Sequence, residues 1–158
     1  MRKSSNAQRA ADAIPLLVAD VYQLAGAFRR WGDTIAGERG QTQARWQVLS
    51  AASSGDGTVP QLAQRLGVAR QAVQRLADLL TEDGLATFVD NPKNLRSPFL
   101  RLTRPGKDLL DTLTKTASTY HQELAEGLSV KEIEIALVVV RKLCSQIDRD
   151  LNAENAME

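Results

Sequence analysis

A chain of 158 residues, 43% apolar and 25% charged, suits one domain or one compact two-lobed unit, and its composition excludes a disordered or fibrous protein. Cys144 is the only cysteine, which excludes an intrachain disulfide, and with aromatics at 4% the core must be filled mostly by Leu, Val, Ile and Ala. The net charge of +1 conceals an asymmetry: residues 1–57 carry +2, residues 58–107 carry eight basic against four acidic side chains for +4, and residues 108–158 carry −5.

The start, MRKSSNAQRAAD, is polar and is expected to fray. From Asp12 to about Glu38 the apolar residues Ile14, Leu17, Val21, Leu24, Phe28, Trp31 and Ile35 recur every three to four positions, which predicts a long amphipathic helix. Asp12 is the expected N-cap, and Pro15 is tolerable in a first turn. Thr42 caps a second predicted helix running to about Ala52, with Trp46 and Leu49 inward, and SSGDG (53–57) reads as a loop. Thr58 then caps a short third helix, Val59 to Leu66, with Gln61 completing a capping box and Gly67 ending the helix. A fourth helix is predicted from Arg70 to Glu82, with Val73, Leu76, Leu79 and Leu80 as its apolar stripe. Leu85–Asp90 and Pro98–Thr103 read as two short strands joined by NPKNLRS. Thr103 caps a fifth helix to about Glu126, carrying Leu109, Leu110, Leu113, Ala117, Tyr120 and Leu124. Gly127 stops it, and SVKE (129–132) opens a last helix with Ile133, Leu137, Val140, Cys144, Ile147 and Leu151 on one stripe.

The order short helix, tight Gly turn, second helix, basic hairpin is helix-turn-helix plus wing, a device for reading duplex DNA. An α-helix fits the major groove, where Arg can make two hydrogen bonds to guanine and Gln two to adenine. The fourth helix presents Arg70, Gln71, Gln74 and Arg75 opposite its apolar stripe, near the end from which base contacts are usually made. Thr58 and Gln61 stand at the start of the preceding helix, and the wing loop carries Lys93 and Arg96, a guanidinium suited to a narrow minor groove. A solvated helix face and an ordinary charged turn are the plain alternatives for each piece alone. One such module covers few base pairs, so specific affinity calls for two on half-sites. The long first, fifth and sixth helices exceed what a domain of this kind needs, and a homodimerisation layer is their natural use; an enlarged monomeric core is the alternative. The expected organisation is therefore a winged helix-turn-helix domain at 42–103, a dimerisation region at 10–40 and 104–152, and flexible tails at 1–9 and 153–158.

At this point the chain resembles the multiple-antibiotic-resistance regulator (MarR) family over about residues 10–150. The carriers are RWQVL (45–49), LAQRLGV (62–68), LLTEDGL (79–85), and the wing with its exit, NPKNLRSPFLRLTRPG (91–106), of which Leu102-Thr103-Arg104-Pro105-Gly106 is the most specific. The resemblance implies a mainly α fold with a small β-hairpin wing, in a dimeric cytoplasmic repressor or activator that binds double-stranded DNA at a pseudo-palindromic operator. Its recognition helix matches Arg70 to Glu82 and its wing arginine matches Arg96. Asn94 departs from the Asp that the family usually uses to orient that arginine, and Pro98 is an unusual choice in the returning strand. Many members bind small aromatic or lipophilic effectors, commonly with release from DNA. By analogy that cleft would draw on Phe28, Trp31 and Trp46, which otherwise read as core aromatics.

Some relatives sense oxidants through a cysteine near the start of the first helix. This chain has none there, and Cys144, on an apolar stripe, is expected to be buried and inert. His121 is the only histidine, which argues against a zinc site. With no nucleophile–base pairing and no phosphate-cradling Gly loop, neither an enzyme nor a bound cofactor is expected. The sequence shows no secretory leader and no apolar run of membrane-spanning length, so the cytoplasm is the expected compartment. The remaining alternative is a winged-helix module that binds protein and not DNA.

Overall fold

The computed structural model describes residues Arg2–Asn155, so Met1 and residues 156–158 of the expected tails lie outside the described residues. In chain order the elements are α1 (Arg2–Gly37), α2 (Gln43–Ser53), β1 (Gly57–Thr58), α3 (Val59–Leu66), α4 (Arg70–Glu82), β2 (Ala86–Val89), β3 (Phe99–Leu102), α5 (Arg104–Ala125) and α6 (Val130–Asn155). The mainly helical fold with a small sheet agrees with the sequence. Two compact units divide within α5, the first ending at Thr116 and the second beginning at Ala117.

In the first unit, α2, α3, α4 and the sheet enclose one core. Val48 and Leu49 of α2, Leu62 of α3, Val73 and Leu80 of α4, Leu100 of β3 and Leu110 of α5 are its main apolar members. Their spacing explains the helices: one face of each is apolar at a period near 3.6, and the opposite face is left to solvent. Thr42 caps α2, its side chain accepting from Arg45 N at 3.3 Å, and Asp33 Oδ1 accepts from Gln43 N at 2.7 Å. At the start of α3, Gln61 Oε1 accepts from the Thr58 amide at 2.9 Å and from its hydroxyl at 3.1 Å. Gly67 ends α3 in the left-handed region at φ 65°, which lets the Val68 N–H close on Ala63 O at 3.1 Å. This is the tight turn that sets α4 against α3.

The sheet is antiparallel in the order β1-β3-β2. Ala86 pairs with Leu102 and Val89 with Phe99, the expected hairpin, while Gly57 pairs with Leu100 and Thr58 with Phe99. The segment read as a loop thus ends in a third strand, formed by pairing with residues some forty positions on. Where β3 leaves the sheet, Thr103 N donates to Leu85 O at 3.1 Å, Thr103 Oγ1 donates to Gly84 O at 2.6 Å, and Gly106 N donates to Thr103 Oγ1 at 3.2 Å. Gly106 is buried, and a Cβ there would fall 1.9 Å from Leu85 O. The Leu-Thr-Arg-Pro-Gly wing exit is therefore a joint that fixes the root of the hairpin to the end of α4.

Three expectations are corrected. Helix α1 starts at Arg2, ten residues before Asp12, so Asp12 is interior and accepts from Gln8 Nε2 at 2.9 Å. Residues Asn6–Gly37 are long and apolar enough, by length and composition, to cross a membrane. Asp12, Asp20 and Gln23 interrupt the run, but Ala, Val and Leu keep its mean hydropathy high. An Asp at the centre of a bilayer helix costs roughly 2.5–3.5 kcal/mol, which favours an amphipathic surface over a span. Lastly, Cys144 is exposed rather than buried. In the second unit, the α6 stripe on which it lies, including Leu137 and Ile147, is open. The α6 N-terminus has the expected capping box: Glu132 N donates to Ser129 Oγ at 3.2 Å, and Ser129 N and Oγ donate to Glu132 Oε2 at 2.8 and 2.7 Å. Those two donors, the hydroxyl foremost, hold the Glu132 carboxyl below its ordinary value.

Candidate nucleic-acid interface

The apolar stripe of α4 decides which of its residues face water. Val73, Ala77 and Leu80 are buried, which rotates Arg70, Gln71 and Arg75 outward and leaves Gln74 half-buried at the edge. A shallow groove on this face is lined by Arg70, Gln71, Gln74, Arg75 and Asp78. A second cleft lies between α4 and the wing, lined by Arg70 and Gln74 of the helix and by Phe88, Arg96, Ser97 and Pro98 of the hairpin. The recognition helix and the wing arginine, separate in sequence, thus share one cleft.

The wing loop is organised by two asparagines. Asn91 is 6% exposed; its Nδ2 donates to Ser97 O at 3.0 Å and its Oδ1 accepts from Lys93 N at 3.1 Å, so one side chain ties the two ends of the loop. Asn94 Oδ1 accepts from Arg96 N at 3.2 Å. An amide oxygen offers that backbone N–H the same kind of acceptor as a carboxylate oxygen. The departure at Asn94 therefore keeps the loop's turn and removes a negative charge from beside Arg96. No sequence signal pointed to Asn91, because an irregular loop has no periodicity and the pairing depends on the returning strand.

The basic residues within residues 42–103 divide into two groups. Arg45 pairs with Asp83 at the C-terminal end of α4, and Arg65 Nη1 donates to Ala51 O at 2.7 Å at the end of α2. Arg101 makes a two-pronged pair with Asp56, both contacts at 2.7 Å, across β3 and the approach to β1. That guanidinium, through its hydrogen bonds first and its charge second, holds the Asp56 carboxyl below the usual aspartate range, and Asp56 in turn raises Arg101. By contrast the side chains of Arg70, Arg75, Lys93 and Arg96 have no hydrogen-bond or ion-pair partner among the described residues, and all four are exposed. Within residues 42–103, three arginines brace the domain, and the cations without a partner among the described residues lie on the recognition helix and wing.

Thr58 and Gln61 sit at the start of α3, but Thr58 is only 7% exposed and its hydroxyl donates to Gln61. Phe28, Trp31 and Trp46 form a ring cluster, with centroids 6.3 Å apart for Phe28–Trp31 in an edge-on contact and 6.5 Å for Trp31–Trp46. Trp46 also packs on the core, so at least one member of the cluster has a structural role.

A family model described as a winged helix-turn helix matches residues 45–101. Uncharacterized protein Rv2011c of Mycobacterium tuberculosis is 43% identical over 132 residues, 84% of this chain and 92% of that protein. The transcriptional activatory protein BadR of Rhodopseudomonas palustris is 25% identical over 134 residues, 82% of this chain and 77% of its own. Among solved structures, the MarR family transcription regulator SP03579 superimposes with a TM-score of 0.71 at 22% identity, covering 93% of this chain and 97% of that one. A mutant MarR from Escherichia coli complexed with operator DNA gives 0.69 at 23% identity, over 82% of this chain and 94% of its own. Taken with the winged helix and its unpaired basic face, these likenesses show that the chain has the fold of the MarR family regulators, carries a winged helix-turn-helix domain at residues 45–101, and belongs to one family with Rv2011c.

Proposed function

We propose that the chain works as a homodimer that binds a pseudo-palindromic operator in double-stranded DNA, with α4 in the major groove and the wing at the adjacent minor groove. The observation that carries this is the cleft lined by Arg70, Gln74 and Arg96, whose cations have no ion-pair partner among the described residues. Arg70, Gln71, Gln74 and Arg75 are the base-reading set, and Lys93 and Arg96 the wing contacts. Thr58 and Gln61 fix the start of α3, where a helix N-terminus offers backbone N–H groups to a phosphate. Residues 42–103 form the DNA-binding domain, and residues 10–40 and 104–152 the dimerisation region.

Exposed apolar side chains on α1 (Leu16, Val21, Leu24) and on α6 (Ile133, Leu137, Val140) support the dimer, because a lone soluble chain gains nothing by leaving such stripes in water. The protein acts in the cytoplasm, where its DNA is. The mode is repression relieved by a small aromatic or lipophilic effector near Phe28, Trp31 and Trp46. The effector shifts the dimer toward a spacing of recognition helices that no longer matches successive major grooves. The activatory name of BadR supports activation as the second reading; the position of the operator relative to a promoter separates the two.

The test is selection from a random duplex pool, with affinities read by fluorescence anisotropy at two salt concentrations. An enriched palindrome whose affinity falls steeply with salt is the expected result. No enrichment at either salt favours a winged-helix module that binds protein.

A further inference from the structure

One acidic residue sits on the otherwise basic reading face. Asp78 is exposed, lies in the groove formed with Arg70, Gln71, Gln74 and Arg75, and accepts a hydrogen bond from Gln74 Nε2 at 2.8 Å. A carboxylate there repels phosphates, so it weakens non-specific binding, and its value must lie elsewhere. An ionised carboxylate only accepts hydrogen bonds. The Gln74 amide must therefore turn its NH2 group toward Asp78, since the flipped amide would set Oε1 against a carboxylate oxygen. The orientation of Gln74 is fixed by its neighbour one turn along the helix.

That orientation has consequences in a major groove. Gln74 presents Oε1 as an acceptor and the second hydrogen of Nε2 as a donor, in a set order. Adenine offers the complement, an N6 amine and the N7 acceptor, whereas guanine shows acceptors at both O6 and N7, and thymine shows O4 beside a methyl group. An unrestrained glutamine can turn its NH2 outward and bond to O6 or O4; the restrained one meets those atoms with its own oxygen. Resting on the DNA-binding reading above, we infer that Asp78 is a specificity-determining positioning residue. It holds the Gln74 amide in the orientation that reads adenine and rejects guanine and thymine at one position of each half-site.

The experiment is the random-duplex selection run with the wild type, Asp78→Ala, Asp78→Glu and Gln74→Ala, scored as the ratio of bound adenine to guanine and thymine at each operator position. Any uniform strengthening from loss of the negative charge cancels in that ratio. The wild type should prefer adenine at one position by on the order of tenfold or more, the range of a two-bond side-chain contact. Asp78→Ala should bring that ratio toward one while leaving the rest of the site enriched. Asp78→Glu, which keeps an acceptor in reach, should restore most of it, and Gln74→Ala should lose it at the same position. An unchanged adenine ratio in Asp78→Ala overturns the inference, as does a loss at a position that Gln74→Ala leaves alone. If the wild type enriches no sequence, the regulator reading itself fails, a result distinct from an enriched site that Asp78→Ala does not alter.

Discussion

Arg75 and Arg45 are the same residue type with different surroundings, and the difference predicts opposite phenotypes. Arg75 is exposed and unpaired among the described residues, whereas the Arg45 side chain is 14% exposed and paired with Asp83. Arg75→Ala should weaken binding to the selected operator by about 1–3 kcal/mol with no change in melting temperature. Arg45→Ala should lower the melting temperature and change DNA affinity mainly through that loss of fold. Anisotropy and thermal denaturation of the two variants decide it: unchanged affinity removes Arg75 from the base contacts. The Asp56–Arg101 pair supplies a pH signature. Because Asp56 titrates below its unfolded value, its contribution is present above the ordinary aspartate range and is lost as pH falls through the depressed value. In Asp56→Asn that acid-side loss should be missing, so the stability curves of variant and wild type should converge at low pH; parallel curves down to the acid limit would refute it. Sequence made Arg70 and Arg75 legible, because an amphipathic pattern states which face a residue occupies, and Arg96 legible through its place in the loop between two predicted strands. It did not separate them from Arg45, Arg65 or Arg101, whose partners are brought in by the tertiary fold.

The elements whose ends carry local chemistry were readable to within about a residue. Helices α3 and α4 run Val59–Leu66 and Arg70–Glu82 as predicted, because Thr58, Gln61, Gly67 and the Asp83-Gly84 pair mark their limits with capping and turn chemistry. Strand β1 was not readable, since two residues after a Gly-Ser loop have no alternation and gain their structure only from β3. Helix α1 misled in the other direction, as Asp12 looks like a cap but sits within a helix that the polar residues before it can continue. The joint at the wing exit was visible as a motif without its reason. The reason is Gly106, whose absent side chain leaves room for the Leu85 carbonyl. Gly106→Ala should therefore destabilise the domain by roughly 1–3 kcal/mol or more through overpacking against backbone that cannot move alone. Chemical denaturation measures this, and a loss within a few tenths of a kcal/mol would show that the joint yields. The substitution should also splay the wing from α4 and reduce DNA affinity beyond what the unfolded fraction explains.

At the scale of the molecule, the apolar stripes of α1 and α6 make the strongest demand. Burying them is worth roughly 25 cal/mol per Å², and homodimer interfaces of this hydrophobic kind commonly cover 2,000–5,000 Å². The exposed thiol of Cys144 provides a reporter, for it lies on the α6 stripe with Leu137, Val140 and Ile147, all open in the single chain. In a dimer that uses this stripe the thiol is covered, and the buried, inert cysteine read from sequence becomes a property of two chains and not of one. Sequence could show that the stripe is apolar; it could not show that the rest of the chain leaves it open. Native protein at micromolar concentration should sediment at twice the chain mass and react slowly with a bulky maleimide. Dilution, or a Leu137→Glu substitution, should release monomer and speed the reaction by about tenfold or more, the change expected when the protected fraction falls by a 1.4 kcal/mol shift in the assembly equilibrium. The same variant should keep weak, salt-sensitive binding to a half-site while losing the gain from a palindrome, because each winged helix keeps its own contacts and the dimer supplies only their linkage. Fast modification of Cys144 in a protein that still sediments as a dimer would move the interface off α6, and with it the assignment of residues 104–152 to dimerisation.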